Sequence, residues 1–222
     1  MMIALSPKPE DALANLAAQA EGLPGPYLIT GAQAAYIYHR WLLPIAKVVN
    51  VRIPEGNAAY WRTALMPPWT VVTQTPSLSE VRPATRVAIL ESYLSEALHQ
   101  RRVMRGGLAF ISPEDLGMQL LATATTQIAL SEIAALLIAR RDTLDWRYLL
   151  HQTGSSQMGQ RLVEIVRAIN REAGRPLLQP DLVSLAAAPP SGLTPIRPET
   201  LADLLRPLRA QWKLAHAPST GG

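Results

Sequence analysis

The chain has no cysteine and a single phenylalanine among its 222 residues, and only 17% of its residues are charged. The missing thiols exclude a disulfide scaffold, cysteine nucleophiles, iron–sulfur clusters and cysteine-ligated zinc. Histidine is scarce too. His39, His99, His151 and His216 include no pair at the spacing of metal ligands on a helix face. No apolar run is long and unbroken enough to span a bilayer. The first residues, Met-Met-Ile-Ala-Leu-Ser-Pro-Lys-Pro-Glu, lack the basic start and long apolar stretch of a secretory signal. The expectation is therefore a cytoplasmic protein with no membrane partner.

Apolar residues make up 48% of the chain, and its length suits one domain with an appendage or two small domains with a substantial core. The net charge is +4 and the isoelectric point near 9.7, mildly basic but below the charge density of a dedicated nucleic-acid binder. The cations are 18 Arg against 3 Lys. Guanidinium groups suit bidentate phosphate or carboxylate contacts, although a GC-rich genome gives the same bias.

Residues 9–21 read as a helix, with Pro9 at its start and acids in its first turn. Tyr27 to Thr30 reads as a short buried strand ending at Gly31, and Ala32 to Leu42 as a helix rich in small residues. Lys47 to Ile53 alternates with period two: Val49, Val51 and Ile53 share one face, Val48, Asn50 and Arg52 the other. A short helix is expected over 58–65, a strand over 69–75, a helix over 87–102 and a short strand over 108–111. Ser-Pro-Glu-Asp at 112–115 opens a helix, with Pro at its first position and acids in its first turn. Further helices are expected from Leu130, Asp145 and Gln157, the last bounded by Gly174. An Ala/Pro-rich linker leads to an amphipathic helix over 199–214. The resulting division is an N-terminal helix (1–22), a sheet domain (23–112), a helical part (113–185), and the linker with its last helix (186–222).

Three segments taken in this order carry a resemblance: Tyr27-Leu28-Ile29-Thr30-Gly31-Ala32-Gln33-Ala34-Ala35, Ile111-Ser112-Pro113-Glu114-Asp115-Leu116, and Leu144-Asp145-Trp146-Arg147-Tyr148-Leu149. Over roughly residues 25–172 the chain resembles the nucleotidyltransferase superfamily, in particular the small families of type IV (AbiE-type) toxin–antitoxin systems involved in phage defence. The resemblance implies a mixed α+β (α/β) fold, with a nucleotidyltransferase-like mixed sheet flanked by helices and a helical C-terminal part. In active members a Gly-Gly or Gly-Ser turn cradles a nucleotide triphosphate, and the next strand carries Asp-x-Asp. Two carboxylates two apart on a strand point the same way, so both can hold Mg²⁺ against the phosphates.

This chain departs from that pattern. Gly31 is followed by Ala32, so half of the phosphate turn is kept. The Asp-x-Asp positions fall on Asn50 and Arg52. Asn is a weak neutral ligand, and an Arg beside Mg²⁺ brings repulsion of about 4 kcal/mol per pair of unit charges a few ångströms apart. The nearest acid, Glu55, lies beyond Pro54. Gly31, Ala32, Asn50 and Arg52 are therefore read as a relic nucleotide cleft, with no catalytic residue, no metal site and no cofactor. Mg²⁺ and a nucleotide triphosphate would enter only with an active enzyme. Simpler readings stand beside these: Gly31 as a strand-to-helix turn, and Asn50 and Arg52 as a solvated strand face.

Arg101, Arg102 and Arg105 are the densest basic group. With Arg101 and Arg105 four apart on a continuing helix, they are candidates for gripping nucleic-acid phosphates, or simply a solvated helix end. Leu201, Leu204, Leu205, Leu208 and Trp212 form the apolar face of the tethered last helix, a candidate surface for a protein partner or self-association. Glu114 and Asp115 are expected to cap their helix rather than catalyse. Together these readings lead to a non-enzymatic, antitoxin-like or defence-associated protein. Its partner would be a toxin or complex subunit, with nucleic-acid contacts and homo-oligomers compatible. The alternatives are an active nucleotidyltransferase modifying RNA or protein, and a basic nucleic-acid-binding subunit of a larger complex.

Overall fold

A computed structural model of the chain describes residues 9–39, 48–66, 69–73, 86–91, 94–123, 127–154 and 157–178, together with Arg206. The fold is mixed α+β. It divides into two compact units, Met1–Ser112 and Pro113–Gly222.

The first unit holds a six-stranded sheet. Its strands are β1 (Leu28–Thr30), β2 (Val48–Ile53), β3 (Thr70–Thr73), β4 (Arg86–Glu91), β5 (Val103–Arg105) and β6 (Leu108–Phe110). The strand order is β3-β4-β2-β1-β6-β5. β1 runs antiparallel to β2 and parallel to β6. β4 is parallel to both β2 and β3, and β5 closes an antiparallel hairpin on β6. The helices are α1 (Pro9–Ala17), α2 (Gly31–His39), α3 (Ala58–Ala64) and α4 (Glu96–Gln100).

The alternation expected of β2 is realised: Val49, Val51 and Ile53 are fully buried, while Asn50 and Arg52 are half-buried. Leu16 of α1, Leu28 and Ile29 of β1, Ala34 and Ala35 of α2 and Trp61 of α3 are buried in this unit. The small residues of α2 are among the buried ones. Trp61 meets the ring of Tyr27 edge-on, with centroids 5.2 Å apart and planes at 78°, the arrangement favoured by the aromatic quadrupole. Two long-range hydrogen bonds tie α2 to the hairpin region. The Tyr38 hydroxyl donates to the carbonyl of Ile111, and the Arg105 guanidinium donates to the carbonyl of Ile37 at 2.9 Å.

The segment expected as one helix over 87–102 is corrected by the structure: it begins as strand β4 and becomes helical only at Glu96. Val87-Ala88-Ile89-Leu90 is a continuous apolar run, and such a run fits a helix as well as a strand flanked on both sides by parallel neighbours. Pairing with β2 and β3 decides in favour of the strand. The helix that follows starts where its own capping residue sits, Ser95 Oγ accepting from the backbone N–H of Leu98 at 3.2 Å.

The second unit is helical among its described residues: α5 (Pro113–Ala122), α6 (Gln127–Arg140), α7 (Trp146–Thr153) and α8 (Gln157–Ala173). α5 touches the other three. Gly117 faces α6 and α7: a Cβ there would make ordinary contacts of 3.6–3.8 Å with Ile133, Leu136 and Leu149. α6 is apolar nearly all round and buries Ile133, Leu136 and Leu137. α8 is amphipathic and buries Leu162, Val163, Ile165, Val166 and Ile169.

The acids at the start of α5 are buried: Glu114 is 6% exposed and Asp115 3%. Each reaches the start of α7. Glu114 Oε1 accepts from the backbone N–H of Asp145 at 2.9 Å, and Asp115 Oδ1 accepts from the Tyr148 hydroxyl at 2.8 Å. Asp145 in turn caps α7 by accepting from the backbone N–H of Tyr148 at 2.9 Å. Two acidic side chains thus clasp two helix starts together. Among the described residues no helix is long and apolar enough to cross a membrane.

Candidate functional site

The turn between β1 and α2 is fixed by one glycine. Gly31 has φ +64°, a left-handed conformation that an L side chain adopts only at a cost. A side chain would also have to displace that of Asn50, since a Cβ there would lie 2.6 Å from Asn50 Nδ2. The cross-strand pair Thr30 and Asn50 explains this: β1 and β2 run antiparallel, and Asn50 stands beside the last residue of β1. Arg52 follows two residues along the same face of β2, in register with Leu28. Gly31 and Asn50 therefore share the turn, Arg52 lies towards the other end of β1, and Ala32 is half-buried in the first turn of α2.

The two positive groups of this region lie towards opposite ends of β1. Backbone N–H groups at the start of α2 carry the positive end of the helix dipole. Burial lowers the pKa of the Arg52 guanidinium, because a partly dry environment disfavours its charge. Two polar residues of the turn escaped the sequence reading. Thr30 is buried at the end of β1, and Gln33 is 1% exposed in the first turn of α2. A polar Gln set within the small-residue run Gly31 to Ala35 was the signal available for it.

The donor set does not fit Mg²⁺. The two β2 positions hold a neutral amide and a guanidinium, and the neighbouring strand β4 places Ala88 and Leu90 in register with them. Glu55 is exposed in the turn beyond the end of β2. Among the described residues, no group of three or more His, Asp or Glu side chains is placed to hold a metal ion. Divalent cations at phosphate sites need carboxylate oxygens, and the nearest positive charge here would repel them.

The basic group at residues 101–105 is not the helical row expected of it. α4 ends at Gln100, Arg101 occupies the position after the helix, and Arg105 lies in β5. Gly106 and Gly107, both with positive φ, turn the chain back as a hairpin and so force Val103 to Arg105 into a strand. Arg102 donates to the carbonyl of His99 at 3.2 Å, and Arg105 is held on the carbonyl of Ile37. His99 titrates below its ordinary value, because it is partly desolvated and Arg102 is nearby. The candidate partner-binding residues Leu201, Leu204, Leu205, Leu208 and Trp212 lie outside the described residues.

Comparison with known proteins adds no relative: no family model, curated protein or solved structure matches the chain.

Proposed function

We propose that the chain is a nucleotidyltransferase-like protein without metal-dependent transfer, acting in the cytoplasm as an antitoxin-like or defence-associated binding protein. The observation that carries this reading is the polar face of β2. It holds Asn50 beside the Gly31 turn and Arg52 two residues further along, where transfer chemistry needs paired carboxylates. The strand–glycine–helix order and the antiparallel β1–β2 pair support the architectural half of the proposal. A guanidinium on the strand face where a carboxylate is needed favours an anionic group of a ligand or partner over a divalent cation.

The test is a transfer assay with labelled nucleotide triphosphates, Mg²⁺ or Mn²⁺, and RNA and protein acceptors. It is read beside co-purification of the full chain with the product of its neighbouring gene. The expected result is no label transferred and a stable protein complex. Label transfer that disappears in an Asn50→Ala variant overturns the proposal.

A further inference from the structure

We propose that the second unit carries a phosphate-binding face made of Arg167, Arg171 and Arg175, and that its ligand is the backbone of a nucleic acid. This goes beyond the proposed function and does not depend on it, since none of the three residues belongs to the Gly31 turn.

α8 buries Leu162, Ile165, Val166 and Ile169, and on its other side Arg167 and Arg171 are exposed. Their four-residue spacing sets them about 6 Å apart along the helix axis. Arg175 is exposed at the end of the helix and its backbone is pinned there. Gly174 turns the chain with φ +65°, and the Arg175 N–H donates to the carbonyl of Asn170 at 3.3 Å. The Asn170 side chain then holds Leu178 by two hydrogen bonds of 2.8 Å, donating from Nδ2 to its carbonyl and accepting at Oδ1 from its N–H.

These arginines are not used by the fold in the way Arg161 is. Arg161 is buried and bonded to Glu164 at 3.2 Å. Among the described residues, no side-chain ion pair or hydrogen bond engages Arg167, Arg171 or Arg175. Like charges four apart on a helix are mildly destabilising. The helix dipole offsets this for Arg171 and Arg175 near the C-terminus, but it fades before reaching Arg167. Two forked, always-charged donors on a rigid helix and a third pinned just past its end match a repeating phosphodiester, which each guanidinium can grip with two bonds.

The surroundings choose among polyanions. An interfacial membrane helix needs its apolar face for lipid, and the apolar face of α8 is buried within its own unit. A protein interface is anchored by exposed aromatic or large aliphatic groups. The exposed large hydrophobic residues among those described, Tyr60, Met66 and Met104, all belong to the other unit.

The test uses the full chain and fluorescence anisotropy against a mixed-sequence DNA duplex and a single-stranded RNA, titrated at increasing KCl. Binding should weaken steeply with salt. On the duplex, the R167Q/R171Q/R175Q variant should lose about 2.7 of the logarithmic salt slope, about 0.9 per phosphate contact. Over a fourfold rise in salt, the unaltered protein then loses roughly 40-fold more affinity than the variant does. The corresponding triple lysine variant should keep the slope, and so should the charge-matched R101Q/R102Q/R105Q variant. If the triple glutamine variant loses helicity by circular dichroism, Arg167→Gln alone decides, with an expected slope change of about 0.9. The proposal is overturned by absence of binding at low salt, by an unchanged slope in the variants, or by loss of binding in R101Q/R102Q/R105Q instead. Equal binding to polyglutamate or to phosphatidylserine vesicles overturns it too.

Discussion

The two units treat their polar groups in opposite ways. In the helical unit, polar side chains serve the fold: the buried Glu114 and Asp115 bind the start of α7, and Asn170 binds the backbone of Leu178. In the sheet unit, the polar face of β2 lies half-open, with Asn50 set against a left-handed glycine turn. A buried acid that accepts a hydrogen bond from the start of a neighbouring helix has a structural reason to exist. Asn50 and Arg52 stand where the fold needs no more than a polar strand face. The difference teaches that an acid in this chain is a poor guide to chemistry: the buried acidic pair Glu114-Asp115 is a clasp, and the candidate site is neutral to basic.

The contrast can be broken most forcefully through the core of the sheet unit. Trp61→Ala removes a fully buried ring from its edge-on contact with Tyr27 and should cost about 3–5 kcal/mol, read from urea denaturation. The clasp of the helical unit comes next. Glu114→Ala leaves the N–H of Asp145 without its acceptor and should destabilise by about 1.5–3 kcal/mol. An unchanged denaturation midpoint would reduce the clasp to a surface detail.

Gly31→Ala should cost about 1–2 kcal/mol for the left-handed backbone alone, with a further contribution from displacing Asn50. If Asn50 is the obstacle, Asn50→Ala in the same chain recovers that further contribution and leaves the backbone cost. A double-mutant cycle with no coupling between the two positions would show that they do not share one turn.

The smallest effects are pH dependences of opposite sign in the two units. Burial pushes His39 down to about 4, so the unfolded chain binds its proton first. The stability this neutral imidazole confers is full above its ordinary 6.5 and is lost as pH falls from 6.5 towards 4. Burial raises Glu132 of α6 above its ordinary 4.5, so its protonated form is favoured in the folded state. The contribution of Glu132 therefore falls as pH rises from 4.5 towards the raised value. Midpoints measured across this range should lose a rising component in His39→Gln and a falling one in Glu132→Gln. Identical profiles for both variants would contradict the assignment.

Much of this architecture was legible along the chain. The period-two pattern of Val48 to Ile53, the glycine after Thr30, the Pro113 helix start and the amphipathic spacing of Leu162, Ile165, Val166 and Ile169 each report a local rule, and each element formed. The segment 87–102 was not legible, because a run such as Val87-Ala88-Ile89-Leu90 satisfies two periodicities at once and only its neighbours β2 and β3 choose between them. The arginines at 101–105 misled for a related reason: a helical row requires the helix to continue, and the Gly106–Gly107 hairpin turned it into a strand. The four-residue spacing of Arg167, Arg171 and Arg175 was visible, but its exposure depends on which face of α8 is buried.

The sequence by itself determined the chemistry within reach: no thiols, few histidines, abundant guanidinium groups, and Asn and Arg on the polar face of a strand. Side-chain identity and short-range periodicity belong to the chain, whatever its fold. Tertiary structure alone decided which of these groups meet: Asn50 over Gly31, Glu114 and Asp115 at the start of α7, Arg105 on the carbonyl of Ile37. Those contacts join residues 19 to 68 positions apart. No local preference specifies such distances; they are set when strands find their register and helices bury their apolar faces.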